Sequence, residues 1–497
     1  MKKLSLSIFL AMLLTLATFS QETFFTQIDD DNFHNPMDII IKQDGNMLFC
    51  SQYHLANQNW NSVMFEVDKY GEIINEVNFY NTGDDYLRCS RMLQLDDHIY
   101  LFGEGRQHNN ADVSMLKFDL KLNEIEHYHY SINGIIPGSI FPLKVLCIDN
   151  IFHIMGLARL TINFQPPFYL KVSSSGIMLN SSYYNPGPYV EIWPQDFYLS
   201  PGSNNLFTIC QDWRITNNSW AHFIEFDTTM SVVSDLPLTT GKLGFIMLSY
   251  TIFRESDSTF YLAHNFWDIM QPGGWNSEVT KFDLNGNVLN SFVFQCTEDS
   301  ASWTAHYNGM DTLPDSNLIL CTTFNLDYEF NVQQEPTKIM LFKLSPTLDL
   351  IWQKYLFGED GMYEAYGVKA HPDGGIVILG AHSPTPPTNP DIKEVFLMKT
   401  DSDGNLTVGM DDHETKIKAT EAILFPTPAQ DFLIVDFSLL YKTATLQLID
   451  LAGRPVFEWA LTSNHQQVDI SGVPAGTYVY RIFNNKGLEE SGKLVVE

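Results

Sequence analysis

Short apolar segments that end on a small residue recur along most of the chain. Seven of them align, and their small residues lie 53 to 59 residues apart. The segments are Asn46–Cys50, Ile99–Gly103, Phe152–Gly156, Leu206–Cys210, Thr259–Ala263, Asn317–Cys321 and Ile376–Gly380. A strand and a polar turn precede each segment. Short apolar runs bounded by turn residues are typical of buried β-strands.

A second signature follows each segment after a loop. It is an alternating strand that enters a turn rich in Asp, Gly and Asn, which is the signal of a β-hairpin. The copies are Met64–Ile73, Leu116–Ile125, Tyr169–Met178, Phe223–Val232, Val279–Val288, Leu341–Leu350 and Phe396–Leu406. A last strand, such as Glu72–Tyr80, continues beyond the turn. Each repeat therefore predicts four short strands.

Four-stranded repeats of this length are typical of propeller blades. The pattern predicts an all-β fold, with a seven-bladed β-propeller over residues 21–410. A β-solenoid is the structural alternative, but its rungs are shorter and do not need four strands. We expect the small residue to be required because the innermost strands of all blades crowd around one axis.

The two ends of the repeat region are predicted to pair. The strand after the last hairpin, within Asn405–Asp412, is weak and soon becomes polar. The segment Glu22–Ile28 reads as an outer strand with no inner strand before it. We expect residues 22–28 to complete the last blade, because such closure removes an open sheet edge that invites aggregation.

The last repeat carries the most complete pattern. It contains Trp-x-Lys, then Asp-Gly-Gly before an apolar strand, then Lys-Thr-Asp before a Gly-Asn turn. The residues are Trp352, Lys354, Asp373, Gly374, Gly375, Lys399, Thr400, Asp401, Gly404 and Asn405. This pattern resembles a propeller repeat that is common in secreted bacterial proteins. The resemblance implies a fold, and the repeat family has no single function to transfer.

The N-terminus has the pattern of a targeting segment. Two lysines precede the apolar run Leu4–Leu16, and small and polar residues follow in Ala17–Gln21. This arrangement predicts a secretory signal peptide over residues 1–20, with cleavage between Ser20 and Gln21. A buried N-terminal strand is the alternative, although nothing would remove the lysines from the core. The run is too short for a comfortable membrane span, and no later segment predicts one.

The end of the chain has a different pattern. Residues 411–422 are polar and lack strand periodicity, so they predict a linker. Residues 423–497 alternate again, with breaks at Ala452-Gly453 and at Pro474–Gly476. This last segment predicts a small Ig-like β-sandwich.

Ordered motifs occur within that sandwich. A Pro-x-Pro opening, an Asp-x-x-Gly-Arg motif and a Pro-Ala-Gly-x-Tyr motif follow one another. Their residues are Pro426, Pro428, Asp450, Gly453, Arg454, Pro474, Gly476 and Tyr478. Together they resemble the C-terminal sorting domain of the type IX (Por) secretion system of Bacteroidetes. The resemblance implies passage through the periplasm, recognition by the type IX secretion machinery, and a product that is secreted or held on the outer-membrane cell surface. An ordinary accessory sandwich is the alternative.

Charge and cysteine content limit the kinds of partner and the redox chemistry expected of this protein. The chain has 59 acidic and 29 basic side chains, for a formal charge of −30. That balance argues against nucleic acid, whose phosphates need Lys and Arg, and favours a solvated acidic surface. Three of the six cysteines, Cys50, Cys210 and Cys321, occupy the small position of the repeat. We therefore expect mostly unpaired, buried thiols.

A search of the sequence for catalytic motifs finds no GxSxG elbow, HExxH, CxxC pair or phosphate loop. Asp401–Asn405 begins like a calcium loop, but other repeats carry plain hairpin turns there and no Glu follows at the twelfth position. We favour turn chemistry over calcium, and we predict no metal and no other cofactor.

A binding or catalytic site, if present, is expected at the end of the central channel where the inner strands finish. The polar residues just beyond the small positions are Gln52, Glu104, Arg159, Asp212, His264, Thr322 and His382. The same mixture would also arise simply because these positions meet water. Tryptophans near strand ends could stack on sugar rings, although packing between blades explains most of them.

Three functions fit these patterns. The first is a monomeric, non-catalytic binding or adhesion module for a glycan or protein ligand. The second is a secreted polysaccharide-active hydrolase or lyase, whose residues would come from several blades and so leave no local motif. The third, a quinone-dependent redox enzyme, is disfavoured because the blades lack a regular Trp-docking pattern. We favour the first and leave catalysis open.

Overall fold

A computed structural model describes residues 21–406 and 423–496 of the chain, apart from short gaps. The gaps are 29–31, 55–59, 81–85, 108–109, 136–137, 161–164, 186–191, 201–202, 213–220, 238–243, 255, 257, 269–274, 297–299, 327–335, 358–360, 385–392, 426–428, 431, 437–443, 451–452, 462–464 and 485–486. The described chain divides into two compact units, with the main division between Asp412 and His413.

The first unit begins with strand β1 (Phe24–Ile28) and continues as consecutive antiparallel sheets. The first sheet contains β2 (Phe33–Ile41), β3 (Met47–His54), β4 (Asn61–Val67) and β5 (Ile73–Phe79). The second contains β6 (Tyr86–Leu95), β7 (His98–Gln107), β8 (Asn110–Asp119) and β9 (Glu124–Tyr130). The third contains β10 (Ser139–Ile148), β11 (Ile151–Arg159), β12 (Pro167–Ser173) and β13 (Met178–Tyr183).

The later sheets follow the same order. The fourth contains β14 (Ile192–Leu199), β15 (Leu206–Asp212), β16 (Ala221–Phe226) and β17 (Val232–Pro237). The fifth contains β18 (Gly244–Arg254), β19 (Thr259–Asp268), β20 (Trp275–Asp283) and β21 (Val288–Phe294). The sixth contains β22 (Ser302–Thr304), β23 (Met310–Thr312), β24 (Leu318–Phe324), β25 (Lys338–Leu344) and β26 (Leu350–Leu356). The seventh contains β27 (Gly361–Ala370), β28 (Ile376–Pro384) and β29 (Glu394–Thr400).

The sheets are arranged in a ring. The first strand of each sheet contacts the first strand of the next, from β2 through β6, β10, β14 and β18 to β22 and β23. The ring continues from β23 to β27, and β27 contacts β2. A closed ring of four-stranded antiparallel sheets is the architecture of a β-propeller, as the repeat pattern predicts.

Strand β1 is the outermost strand of the seventh sheet, whose order is β1-β29-β28-β27. It pairs antiparallel with β29, with Phe24 opposite Lys399 and Ile28 opposite Val395. Gln21, the first described residue, donates from Nε2 to the carbonyl of Asp373 at 2.6 Å. The start of the repeat region therefore completes the sheet that its end leaves unfinished.

The small residues lie within the second strand of each sheet and face an irregularity in the first strand. Gly156 on β11 pairs with Pro142, where the register of β10 shifts. Gly380 on β28 pairs with Ala365, beside the equivalent shift in β27. The register also shifts in β2, β6, β14 and β18. These shifts are β-bulges, which add one residue to the first strand, or two in β18.

The predicted reason for the small residue is therefore wrong. The strand that faces the axis is the first strand of each sheet, and the small residue lies on the second. A Cβ atom on Gly156 would overlap the carbonyl oxygen of Phe141, and one on Gly380 would overlap the ring of Phe396. The position is small because the bulged neighbouring strand approaches it closely.

Carboxylates on first strands join neighbouring sheets near the axis. In three places an Asp side chain accepts a hydrogen bond from a backbone N–H of the next first strand, at 2.8 to 3.1 Å. The pairs are Asp38 with Met92, Asp196 with Ile252 and Asp311 with Ala370. Each bond pairs a backbone N–H of one sheet with a carboxylate of the neighbouring sheet, so this backbone donor is satisfied.

Outer strands are joined in a similar way. A side chain donates a hydrogen bond to a carbonyl in the hairpin turn of the next sheet. The pairs are Thr26 with Gly71, Asn75 with Lys121, Tyr130 with Gly176, Asn180 with Thr228 and Asn290 with Thr347. Thr26 lies on β1, so the closing strand makes the same type of contact as the other outer strands.

The Asp401–Asn405 segment is a hairpin turn, as favoured from the sequence. Asp401 Oδ1 accepts hydrogen bonds from the backbone N–H groups of Asp403 and Asn405, and Oδ2 accepts from Asn405 Nδ2. Asp283 and Asp119 make the same three bonds in their own turns. Within the described ranges, no group of three or more His, Cys, Asp or Glu residues is arranged to hold a metal ion.

The cysteines are part of the packed interior. All six are free thiols, and five of them are buried. Burial raises the pKa of Cys296 to about 12, and it also raises the pKa of Cys321. Thiols of this kind stay protonated and unreactive at neutral pH.

The second unit contains two antiparallel sheets. One holds β30 (Ile423–Phe425), β31 (Phe432–Asp436) and β34 (His465–Asp469). The other holds β32 (Ala444–Ile449), β33 (Pro455–Leu461), β35 (Gly476–Asn484) and β36 (Gly487–Val496), in the order β33-β32-β35-β36. Leu433, Leu446, Leu448 and Val468 are fully buried in a core that both sheets share.

The motifs that resemble a sorting domain form turns and short-range hydrogen bonds in this unit. Arg454 donates from Nε to Asp450 Oδ2 at 2.8 Å across a turn in which Gly453 has φ of +80°. The Tyr478 hydroxyl donates to the carbonyl of Pro474 at 2.6 Å. Gly476 begins β35, whereas Pro426 and Pro428 lie outside the described residues. No helix in the part of the chain described is long and apolar enough to span a membrane.

Candidate functional site

Two of the predicted site residues, Gln52 on β3 and Glu104 on β7, meet through Arg88 on β6. Arg88 donates to Gln52 Oε1 from Nε at 3.2 Å and from Nη2 at 3.0 Å. Its Nη1 lies 3.8 Å from Glu104 Oε2. Gln52 also donates to the carbonyl of Cys89 at 2.7 Å. The first two sheets are therefore joined by a polar network at this end of the ring.

Glu104 is a buried carboxylate beside two guanidinium groups. Only 1% of its side chain is exposed, and Arg106 Nη2 lies 3.5 Å from its Oε1. The Ser139 hydroxyl donates to Glu104 Oε2 at 2.9 Å. Burial raises the pKa of Glu104, while the Ser139 hydrogen bond and the charges of Arg88 and Arg106 act in the opposite direction. Desolvation is the dominant cause of the shift.

Aromatic rings hold Arg88 in place. Its guanidinium carbon lies 5.5 Å from the ring centroid of Trp60 and 5.3 Å from that of Phe141. Both distances fall within the range of cation–π contacts. Three sheets therefore contribute to the surroundings of this one side chain.

Arg159 lies at the edge of the same network. It is the last residue of β11, it is exposed, and it pairs in register with Ser139. The carbonyl of Gly138, the next residue along, accepts a hydrogen bond from Arg106 at 3.4 Å. We refer to Arg88, Arg106 and Arg159, with Glu104 between the first two, as the arginine cluster.

His264 and Thr322 make their contacts within the fifth and sixth sheets. Both are fully buried, and Gln52 and Glu104 are nearly as buried, at 2% and 1% exposed. His264 Nε2 lies 3.5 Å from Thr280 Oγ1 and 3.8 Å from Glu278 Oε2. Thr322 accepts a hydrogen bond from the Ser302 hydroxyl at 3.2 Å.

His382 belongs to a separate group on the seventh sheet. Its Nδ1 lies 3.0 Å from Glu394 Oε2, and its ring lies 4.5 Å from that of Tyr363. Gln27 on β1 also donates to Glu394. The side chain of Asp212, the remaining predicted site residue, lies outside the described residues. The predicted set is therefore divided among several places.

A short segment of the sixth sheet occupies the centre of the ring. Asn308 donates to Asp38 of the first sheet at 3.1 Å, and its carbonyl accepts from Val368 of the seventh at 2.8 Å. The backbone N–H of Gly309 donates to Thr251 of the fifth sheet at 2.7 Å. Contact with first strands around the ring places the segment on the axis.

Tyr307 is the largest side chain of that segment. Its ring lies 4.6 Å from the guanidinium carbon of Arg91 on the second sheet, and 6.1 Å from the ring of Tyr366 on the seventh. Tyr307 packs against the hydrophobic cores of the first two sheets and the last. The segment Ala305–Gly309 therefore fills the channel at this level, and we call it the channel plug.

A buried ion pair lies beside the channel plug. Lys393 donates to Glu364 and to the Tyr366 hydroxyl, the latter at 2.7 Å. Burial opposes ionisation of Glu364, but the charge of Lys393 and the hydrogen bonds from Lys393 and Tyr366 hold its pKa below the ordinary value. Burial lowers the pKa of His306 to about 4, so this imidazole is neutral at pH 7. The Glu364 carboxylate is therefore already paired with Lys393 and Tyr366.

Sequence reasoning missed Arg88, Arg106 and Tyr307. Arg106 follows Gly103 by three residues, as Arg159 follows Gly156, so a comparison of that position between repeats would have found the pair. Arg88 lies on a first strand, which the alignment of second strands does not sample. Tyr307 interrupts its repeat, so the repeat pattern holds no signal for it.

The C-terminal unit matches a known protein family. Residues 423–497 match the family model described as "Secretion system C-terminal sorting domain". The match covers the second unit and the ordered motifs within it. A comparison of the sequence with curated proteins finds no match.

Three of the solved structures that this chain matches share little sequence with it. Drosophila Semaphorin 2a is 8% identical, with a TM-score of 0.47 over 95% of this chain and 97% of that chain. The polysaccharide lyase Uly1 is 9% identical, with a TM-score of 0.44 over 73% and 89%. The β-propeller domain of the Trilobed protease from Pyrococcus furiosus is 9% identical, with a TM-score of 0.40 over 75% and 97%.

The ring of four-stranded sheets and the family match describe different parts of the chain. A sorting tail of this kind directs a protein to the type IX secretion system, for release or for attachment at the outer-membrane cell surface. The protein is thus a secreted β-propeller protein that carries a secretion system C-terminal sorting domain at residues 423–497.

Proposed function

We propose that the first unit is a non-catalytic binding or adhesion module, monomeric, with its ligand site at the mouth end where Gln52, Glu104 and Arg159 lie. In this proposal residues 1–20 are the signal peptide, residues 21–410 a seven-bladed propeller, residues 411–422 a linker and residues 423–497 an Ig-like sandwich. The ligand is a glycan or a protein outside the cell.

The channel plug is the observation that carries this proposal. A glycoside-cleaving site on a propeller needs an open cleft and two carboxyl groups about 5 to 10 Å apart. In the described chain the plug fills the centre of the ring, with Tyr307 against Arg91. The nearby carboxylates are engaged by neighbours: Glu104 by Ser139, Glu364 by Lys393, and Glu394 by His382.

A binding array read beside turnover assays tests the proposal. The purified full chain would be applied to immobilised glycans and extracellular proteins, and soluble polysaccharides would be incubated with it and analysed for new reducing ends or unsaturated products. We expect saturable binding without turnover. Product formation that rises with enzyme concentration would instead support the alternative, a polysaccharide-active hydrolase or lyase. If an Arg88→Gln variant bound the ligand as the parent does, the ligand site would not lie at the mouth end.

A further inference from the structure

The arginine cluster points to the chemistry of the ligand. We infer that Arg88, Arg106 and Arg159 bind the carboxylate or sulfate group of a short acidic saccharide. This inference rests on the proposed binding function and names its ligand class. Guanidinium groups suit such ligands because their planar donors match two oxygens of one anionic group.

The charges in the cluster do not balance. Arg88 and Arg106 both lie beside one described carboxylate, Glu104, and Arg159 lies on the strand pair that carries Ser139, in a chain with about twice as many acidic as basic side chains. Arg88 and Arg106 approach Glu104 at 3.8 and 3.5 Å, which is longer than a charge-assisted hydrogen bond. The short contact to Glu104 comes from the Ser139 hydroxyl at 2.9 Å. Glu104 thus offsets repulsion between the arginines without pairing tightly with either of them.

Like charges held this close repel one another. Arg88 and Arg106 lie 3.8 and 3.5 Å from the carboxylate oxygens of Glu104, so two positive charges meet around one carboxylate. An incoming anion relieves that repulsion, so part of its binding free energy comes from the arrangement of the empty site. The guanidinium groups stay within reach of solvent, since Arg88 exposes 21% and Arg106 42% of its side chain.

The site is held in position before a ligand arrives. Arg88 lies between Trp60 and Phe141 and donates two hydrogen bonds to Gln52. Arg106 donates to the carbonyl of Gly138, at the end of the strand pair that carries Arg159. Pre-organised groups lose less side-chain entropy when they bind.

Two observations favour a short saccharide over an acidic protein. The half-buried Trp60 ring lies beside the Arg88 guanidinium, and an indole ring packs well against the apolar face of a sugar whose acidic group reaches the arginines. The formal charge of −30 repels an extended polyanion and an acidic protein surface alike. A small ligand with few charges avoids most of that repulsion.

Calorimetric titration of the full chain tests the inference. The probes are trigalacturonate, its uncharged methyl ester, and a sulfated galactose tetrasaccharide. We expect trigalacturonate or the sulfated probe to bind, the ester to bind at least about tenfold more weakly, and 0.5 M NaCl to weaken the acidic probe. The relative affinity of the two acidic probes shows whether carboxylate or sulfate is the preferred group.

Variants give the sharper comparison. Arg88→Gln and Arg106→Gln should each weaken binding of the acidic probe by about tenfold or more. Arg159→Gln should weaken it several-fold, and because Arg159 is exposed at a strand end the variant should fold normally. Glu104→Gln should strengthen binding, since it removes the negative charge between Arg88 and Arg106. Lys121→Gln is the matched control for the arginine variants, because it removes one positive charge at an exposed hairpin turn. This variant should bind the acidic probe as the parent does.

The outcomes separate this inference from the proposed function. If the neutral ester binds as well as the acid, and the arginine variants bind as the parent does, the protein is a glycan-binding module and the acidic assignment is wrong. Binding of hexaglutamate but of no saccharide would also overturn it, in favour of an acidic protein partner. If the protein binds nothing on the array and none of the probes, both the acidic-ligand assignment and the proposed binding function are wrong.

Discussion

Gly156 shows how single residues permit the ring of sheets. The bulge in β10 brings the carbonyl oxygen of Phe141 against the α-carbon of Gly156, where no side chain fits. The Phe168 ring lies 2.7 Å from the position a Cβ would take. Small residues at the equivalent places in the other sheets accommodate the same feature.

Replacing this glycine should therefore be costly. Gly156→Ala should lower the free energy of unfolding by about 2 to 4 kcal/mol, because backbone and aromatic atoms must move to admit the methyl group. Urea unfolding checks the value. Gly138→Ala is the matched control, since its Cβ would lie 3.6 Å from the Arg159 carbonyl oxygen, an ordinary contact. Equal losses in the two variants would contradict the account.

His153 makes the first unit sensitive to acid. Burial, with a smaller effect from the charge of Lys171, lowers the pKa of His153 to about 4. Its Nδ1 lies 2.8 Å from the Tyr169 hydroxyl in a buried pair. The unfolded chain takes up this proton near pH 6.5, before the folded chain does.

The neutral state of His153 therefore stabilises the fold above pH 6.5, and that stability is lost as the pH falls from 6.5 to about 4. The loss is at most about 3 kcal/mol for this group. His153→Gln should flatten the acid side of the stability curve, measured by urea unfolding between pH 7 and pH 4.5. A variant with the same pH slope as the parent would contradict the prediction.

At the scale of strands, the first strand of each sheet combines a bulge with contacts to its neighbours. Asp196 illustrates the arrangement, since it accepts from Ile252 of the next sheet and lies 3.1 Å from Lys144 of the previous one. The outer strands add contacts at the hairpin turns, such as Asn75 with Lys121. Neighbouring sheets are therefore joined by hydrogen bonds both near the axis and at the outer hairpin turns.

Strand β1 supplies the outer-edge contact of the seventh sheet, through Thr26 and the Gly71 carbonyl. Deletion of residues 21–28 should lower the free energy of unfolding by more than about 3 kcal/mol, because the buried Phe24 and the hydrogen bonds with β29 are lost. It should also promote aggregation through the exposed edge of β29. Calorimetry and light scattering measure the two effects.

A point variant serves as the control for that deletion. Thr26→Val removes only the hydrogen bond to the Gly71 carbonyl, so it should cost about 1 kcal/mol and leave the protein soluble. If the deletion variant were as stable and as soluble as Thr26→Val, β1 would not be needed to close the ring.

At the scale of the whole molecule, the second unit carries the match to a sorting domain, and the first unit is the proposed binding module. Deletion of residues 423–497, which match the sorting domain, should leave the protein in the periplasm. Fractionation of producing cells, with antibodies against the first unit, measures its distribution. A deletion variant that reaches the medium or the cell surface as the parent does would contradict the sorting role.

The mouth end shows the limit of reading a site from repeats. The repeat alignment located Gln52, Glu104 and Arg159 because they follow their small residues by two, one and three positions. It could not separate them from His264, which follows its small residue by one position and lies beside Thr280 and Glu278 of the fifth sheet instead. Which neighbours a side chain meets depends on contacts between strands and sheets, and these contacts differ from sheet to sheet.

Local pattern alone determined the repeating four-stranded unit, the pairing of the chain's first strand with its last sheet, and the sorting tail. These features depend on alternation, turn residues and motifs within short stretches, and such signals are written along the chain. Only the tertiary structure decided that small residues face bulges, that Ala305–Gly309 fills the channel, and that Arg88 joins Gln52 to Glu104. Those features depend on contacts between residues of different sheets, which no local pattern records.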